Sequence, residues 1–206
     1  MTTDSDDGDG ATDPSPRVVV ASVVVSTLFV GGVVFPIIPA LGTVLGISPL
    51  LVGLILSANR FSRLVANAPA GALVDRFGAR TPFVAGLGLQ AVATLGYVLS
   101  LGAPVPEAWF FGARVLLGGA SALTFATSHT IAADVTDPDS RGRSMGLIRG
   151  GSILGFPLGL LLGGVISEVA SNGTAFGLAF LFAVIATVLA YLTVPETHVD
   201  PEHTRA

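Results

Sequence analysis

Cysteine is absent from this sequence, which excludes disulfides, thiolate metal sites and cysteine nucleophiles at the outset. Lysine is absent as well, and all ten basic residues are arginine. Charge of either sign is scarce. Only 12% of the 206 residues are charged, whereas soluble globular domains carry about 25%. Hydrophobic residues make up 51% and the mean hydropathy is +0.77, a membrane composition that leaves no soluble enzyme as a reading. No metal-ligand spacing, phosphate-binding loop or basic nucleic-acid patch is present. The expected partners are therefore the lipid bilayer and a small molecule, with no catalytic residues, cofactor, metal or nucleic acid.

The acidic residues that do occur are concentrated at the start. Asp4, Asp6, Asp7, Asp9 and Asp13 lie among Gly, Ser, Thr and Pro, a mixture that can bury nothing. Residues 1–16 are expected to form a disordered tail. It is no secretory signal, being acidic where such a signal is basic. Crossing a bilayer takes about 20 largely apolar residues. Six segments meet that requirement, at about 17–41, 49–73, 81–101, 107–133, 144–168 and 174–194, followed by a polar tail over 195–206. Short joints marked by Gly and Pro make neighbouring helices antiparallel.

Arginine sets the direction. Arg17, Arg76, Arg80, Arg141, Arg143 and Arg205 fall at the two termini and in the second–third and fourth–fifth connections, while the other three connections hold none. By the positive-inside rule both termini are cytoplasmic in a multi-pass protein of the cell membrane. An even number of spans agrees with that assignment.

Between the second and third spans runs Gly71-Ala-Leu-Val-Asp75-Arg76-Phe-Gly78-Ala-Arg80. Gly71 permits close approach of another helix. Asp75 sets a carboxylate at the membrane edge, and Gly78 allows a tight turn. This stretch resembles the signature of major facilitator superfamily transporters, Gly-x-Leu-x-Asp-Arg-x-Gly-x-Arg, with every position filled. In that family the loop latches one half of the protein against the other. The resemblance implies a gating role for Gly71, Asp75, Arg76, Gly78 and Arg80, and a partner for Asp75 from a second half or a second polypeptide.

The fifth span carries Gly155-Phe-Pro157-Leu-Gly159-Leu160-Leu-Leu-Gly163-Gly164. It is similar to the family's antiporter motif, Gly-x-x-x-Gly-Pro-x-x-Gly-Gly, except that Leu160 replaces the proline. Glycines at i, i+4 and i+8 offer a packing groove, and Pro157 removes a backbone hydrogen bond. A plain packing groove and a role in transport direction both fit. Arg114-Val-Leu-Leu117-Gly118-Gly119 in the fourth span is similar to the family's Arg-x-x-Gln-Gly motif, with Leu117 in place of Gln. Pro36 and Pro39 in the first span match the paired prolines of drug-efflux branches.

Arginines inside spans are expensive, and by default they face a water-filled cavity or a partner. Arg60, Arg63 and Asn67 form a polar stripe at helical spacing, and Arg60 lies roughly 18 Å below the outer surface. Arg114 is shallower, roughly 10 Å in. These side chains either line a path for an anionic or hydrogen-bonding substrate or bind carbonyls and carboxylates of a partner helix. His129 is the one side chain within a span whose type ordinarily titrates near neutrality. It could relay protons or simply make a polar contact at the helix end. A serine protease pairing of Ser121 with His129 fails, because the two lie about 12 Å apart along one helix.

The expectation is an all-α membrane protein, a six-transmembrane-helix bundle equivalent to the amino-terminal half of the major facilitator fold and resembling its drug-efflux branch. The resemblance implies secondary transport of a small molecule by alternating access, with export favoured. The first, second, fourth and fifth helices are expected to line the pathway, with the third and sixth facing lipid. A homodimer could supply the missing half, since the two halves of this fold are parallel repeats. The competing expectation is a non-transporting half-sized fragment or subunit that packs against another membrane protein.

Overall fold

The computed structural model describes residues 21, 23, 26–44, 46–134 and 141–194. The expected tails at 1–16 and 195–206, the start of the first span and the connection at 135–140 lie outside the described residues. No strand occurs among the described residues. Where the sequence predicts one uninterrupted first span over 17–41, its described part is two pieces. A π-helical segment, Ser26–Val33, is followed by a turn and then by α1, Ile37–Val44. The break has a local cause. Gly31 and Gly32 hold a helix weakly, Pro36 has no N–H to continue the ladder, and Phe35 N–H turns back to Gly32 O at 3.2 Å.

Five longer helices follow: α2 (Pro49–Phe77), α3 (Arg80–Ser100), α4 (Pro106–Asp134), α5 (Arg141–Val169) and α6 (Asn172–Thr193). Each contains a stretch long and apolar enough to cross a membrane. The helix ends are chemically marked. Ser48 caps α2 by accepting from Leu51 N–H at 3.3 Å, and Pro49 occupies the first turn, where no N–H is needed. Ser171 caps α6 in the same way, accepting from Thr174 N–H at 3.0 Å. At the other end of α2, Gly78 adopts φ +76° and its N–H closes on Val74 O at 2.9 Å. A side chain would resist that backbone.

α4 is the central helix, packing against both α2 and α3; α3 in turn packs on α6, and the π-helical segment lies against α5 and α6. Small residues set the closeness of these contacts. α6 buries an alanine row, Ala175, Ala179, Ala183, Ala186 and Ala190. A Cβ at Gly86 of α3 would stand 2.7 Å from Thr124 Oγ1 on α4, and one at Gly118 of α4 would stand 2.7 Å from Ser62 Cβ on α2. Tyr97, Phe110 and Phe176 join α3, α4 and α6 in one aromatic cluster, with ring centroids 5.6–6.3 Å apart. Coverage is uneven. In the most apolar window of α3 and of α4, 50% of residues are buried, against 11% in α2 and 17% in α5.

Candidate substrate cavity

The side chain at the centre of the bundle is Arg114. It is 3% exposed, and its Cζ stands 5.6 Å from the Phe35 ring centroid and 5.8 Å from that of Tyr97. Its Nε and Nη2 find no acceptor among the described residues. The backbone around it is tied to α2. Asn59 Nδ2 donates to Arg114 O at 3.5 Å and Ser62 Oγ donates to Val115 O at 2.6 Å. Gly118 removes the one side chain that would hold the two helices apart, since a Cβ there would come within 3.0 Å of Arg63 N.

This close crossing brings the polar stripe of α2 onto the same space as Arg114. Arg60, Arg63, Asn67, Arg114 and His129 all line one cavity of about 720 Å³, together with Arg149 from α5. Arg63 lies with its Cζ 4.3 Å from the centroid of Phe125, a cation over an aromatic face. His129 Nδ1 is 2.7 Å from Phe125 O. A carbonyl only accepts, so Nδ1 carries the proton in that contact. Phe35 and Phe156, in edge contact at 5.6 Å, add an apolar part to the lining.

One wall was not foreseen. α3 is expected to face lipid, yet Gln90 is 3% exposed and lines the cavity. Ser26 Oγ donates to Gln90 Oε1, Gln90 Nε2 donates to Thr124 Oγ1 at 3.0 Å, and Thr124 Oγ1 donates to Ala120 O at 3.0 Å. That chain fastens the π-helical segment to α3 and α4 beside the cavity. Gln90 was visible as the one amide in an otherwise apolar span, and an amide there demands partners.

The signature stretch does not reach the cavity. Gly71, Asp75 and Arg76 belong to the last turns of α2, so only Gly78 and Ala79 separate the helices. Asp75 is exposed. Arg76 lies over the Phe77 ring at 5.1 Å. Arg80 donates from Nη2 to Tyr191 O at 3.0 Å, tying the start of α3 to the end of α6. A Cβ added at Gly71 would meet nothing within 4 Å among the described residues.

The α5 glycines act against the first span instead. A Cβ at Gly32 would lie 2.6 Å from Gly159 Cα, and one at Gly163 would lie 2.8 Å from Val33 Cα. Gly155 is buried, Pro157 is exposed within a continuous helix, and Gly164 is open. The motif therefore holds the interrupted first span, while Arg149, Ser152, Ile153 and Phe156 are the α5 residues that face the cavity.

The sequence profile of the Major Facilitator Superfamily matches residues 20–206. The chain belongs to the major facilitator superfamily. It is also similar to multidrug resistance protein 2 of Bacillus subtilis (strain 168), with 27% identity over 138 residues. That alignment covers 65% of this chain and 34% of the relative, so the chain spans about a third of the length of the protein it matches. Within this member of the superfamily the cavity has a marked charge. Among the described residues four arginines line it and no Asp or Glu does, an arrangement suited to acceptor groups and anions.

Proposed function

We propose that this chain forms one six-helix half of a secondary transporter, carrying a small molecule across the cell membrane by alternating access. The observation that carries the reading is the cavity, which arginines and polar side chains from α2, α4 and α5 line together, with Arg114 buried at its wall. Membership of the superfamily supports it. Export is the favoured direction, supported by the name of the Bacillus relative as a multidrug resistance protein. The arginine distribution supports an orientation with both termini cytoplasmic.

A half needs a counterpart. α2 and α5 flank the cavity and are the least covered of the long helices, and they present Leu50, Phe61, Val65, Leu154, Leu158, Leu161 and Val165 outward. A second half or a second copy laid on these faces would close the cavity and could supply the partner of Asp75. Gly71, Asp75, Arg76, Gly78 and Arg80 then form the gate. Arg60, Arg63, Asn67, Arg114 and His129 form the substrate path, and the α5 motif residues form the moving contact. Flux of labelled solutes into proteoliposomes tests the reading. Solute movement that depends on the arginines supports it, whereas a well-folded, fully assembled protein with no flux contradicts it.

A further inference from the structure

We propose that the cavity recognises organic anions with a flat apolar body, of which aromatic monocarboxylates are the simplest, with Arg114 as the charge-selecting residue. This rests on the transport reading above and adds the substrate class.

The first ground is the state of Arg114. A guanidinium 3% exposed loses most of its hydration, a large cost for a buried ion. The rings of Phe35 and Tyr97 at 5.6 and 5.8 Å offset only part of that cost. Nε and Nη2 remain without an acceptor, and both atoms are closed off from water. Among the described residues no carboxylate lines the cavity to neutralise the charge. A ligand carboxylate in the cavity would supply the missing counter-charge, and also the planar pair of acceptors that a guanidinium fits once the Arg114 side chain turns Nε and Nη2 toward it.

The second ground is the rest of the lining. Ser152 Oγ on α5 is a further buried hydroxyl with no partner among the described residues. Arg63 adds a second cation, already stacked on Phe125 at 4.3 Å. Around these handles the walls are aromatic and aliphatic: Phe35, Phe125, Phe156, Leu117 and Ile153. A volume of about 720 Å³ lies in the range that holds drug-sized ligands. An inorganic anion would leave the apolar walls unused. A lipophilic cation would meet four like charges with no counter-charge among the described residues.

The test is binding of radiolabelled benzoate to the full chain in phosphatidylcholine nanodiscs, with benzamide and benzylamine as competitors. The three differ chiefly in the charge beside the ring. Benzoate should compete at least about tenfold better than benzamide, and benzylammonium should barely compete, because a charge-assisted hydrogen bond accounts for a tenfold difference or more. Arg114→Gln should weaken benzoate about 10- to 100-fold. Since Arg114 is buried and its variant could fail to fold, Arg63→Gln serves as a second probe at a half-exposed position, with a smaller loss expected. Equal competition by benzamide, preference for benzylammonium, or unchanged affinity in both folded variants would overturn the proposal. Failure of the transport reading looks different: benzoate would bind with the expected charge preference, yet no flux would occur. Flux of other solutes with no preference for carboxylates would sink only the substrate class.

Discussion

Arg63 and Arg114 share a cavity but differ in what their loss should do. Arg63 is half-buried and already satisfied in part by the Phe125 face, so Arg63→Ala should leave membrane abundance near that of the parent and reduce anion flux several-fold. A collapse in abundance with normal flux per molecule would make it a packing residue. Asp75 is exposed at the end of α2, and no packing among the described residues depends on it. Asp75→Asn should therefore lower transport without lowering abundance or thermal stability, because it removes only a charge that a counterpart would read. Unchanged transport in that variant would reduce the stretch to a topology signal. The arginines were legible from sequence, since a cation in an apolar span stands out. The orphaned Ser152 hydroxyl was not, because short polar side chains are common in spans and their significance lies in which neighbours they meet.

Glycines decide matters at the scale of elements, and they fall into two groups. Gly118 and Gly163 are overlapped by neighbouring backbone if given a Cβ, whereas Gly71 is not. Gly118→Ala and Gly163→Ala should each destabilise the bundle by about 1–3 kcal/mol, the range for overpacking a tight contact. Thermal unfolding in detergent would register this as a lowered midpoint. Gly71→Ala should leave the midpoint unchanged. If it nevertheless reduces transport, the close contact at Gly71 belongs to the counterpart. Helix existence was plain from hydropathy, and the observed α3 and α6 run close to the expected segments. The signature stretch was read as a loop because its charges resemble a connection, but helix α2 carries it through to Phe77. A polar turn at the membrane edge can remain helical when its backbone bonds are intact. The interruption of the first span at Pro36 was hidden for the opposite reason: apolar composition continues unbroken across it.

For the whole molecule, the uneven covering of the bundle is the leading fact. α3 and α4 are buried as in a finished domain, while α2 and α5 carry rows of large apolar side chains on open faces beside an arginine-lined cavity. Lipid can cover the apolar rows, but it cannot hydrate arginines. The native mass of the chain in a nanodisc should therefore correspond to a dimer, or to a complex with a second half when that is co-expressed. A monomer under both conditions would leave the cavity open to lipid and favour the non-transporting fragment.

The absence of native cysteine makes the decisive measurement direct. A single cysteine placed at Ser121, which lines the cavity, can be exposed to a membrane-impermeant thiol reagent from either side of a sealed vesicle. A water-filled transport path predicts rapid labelling of Ser121→Cys from an aqueous side, with the rate changing when benzoate is added, while Leu181→Cys on the outer face of α6 stays unlabelled. Ser121→Cys that is inert from both sides in the assembled protein would mean that the cavity is no solute path, and would contradict the account.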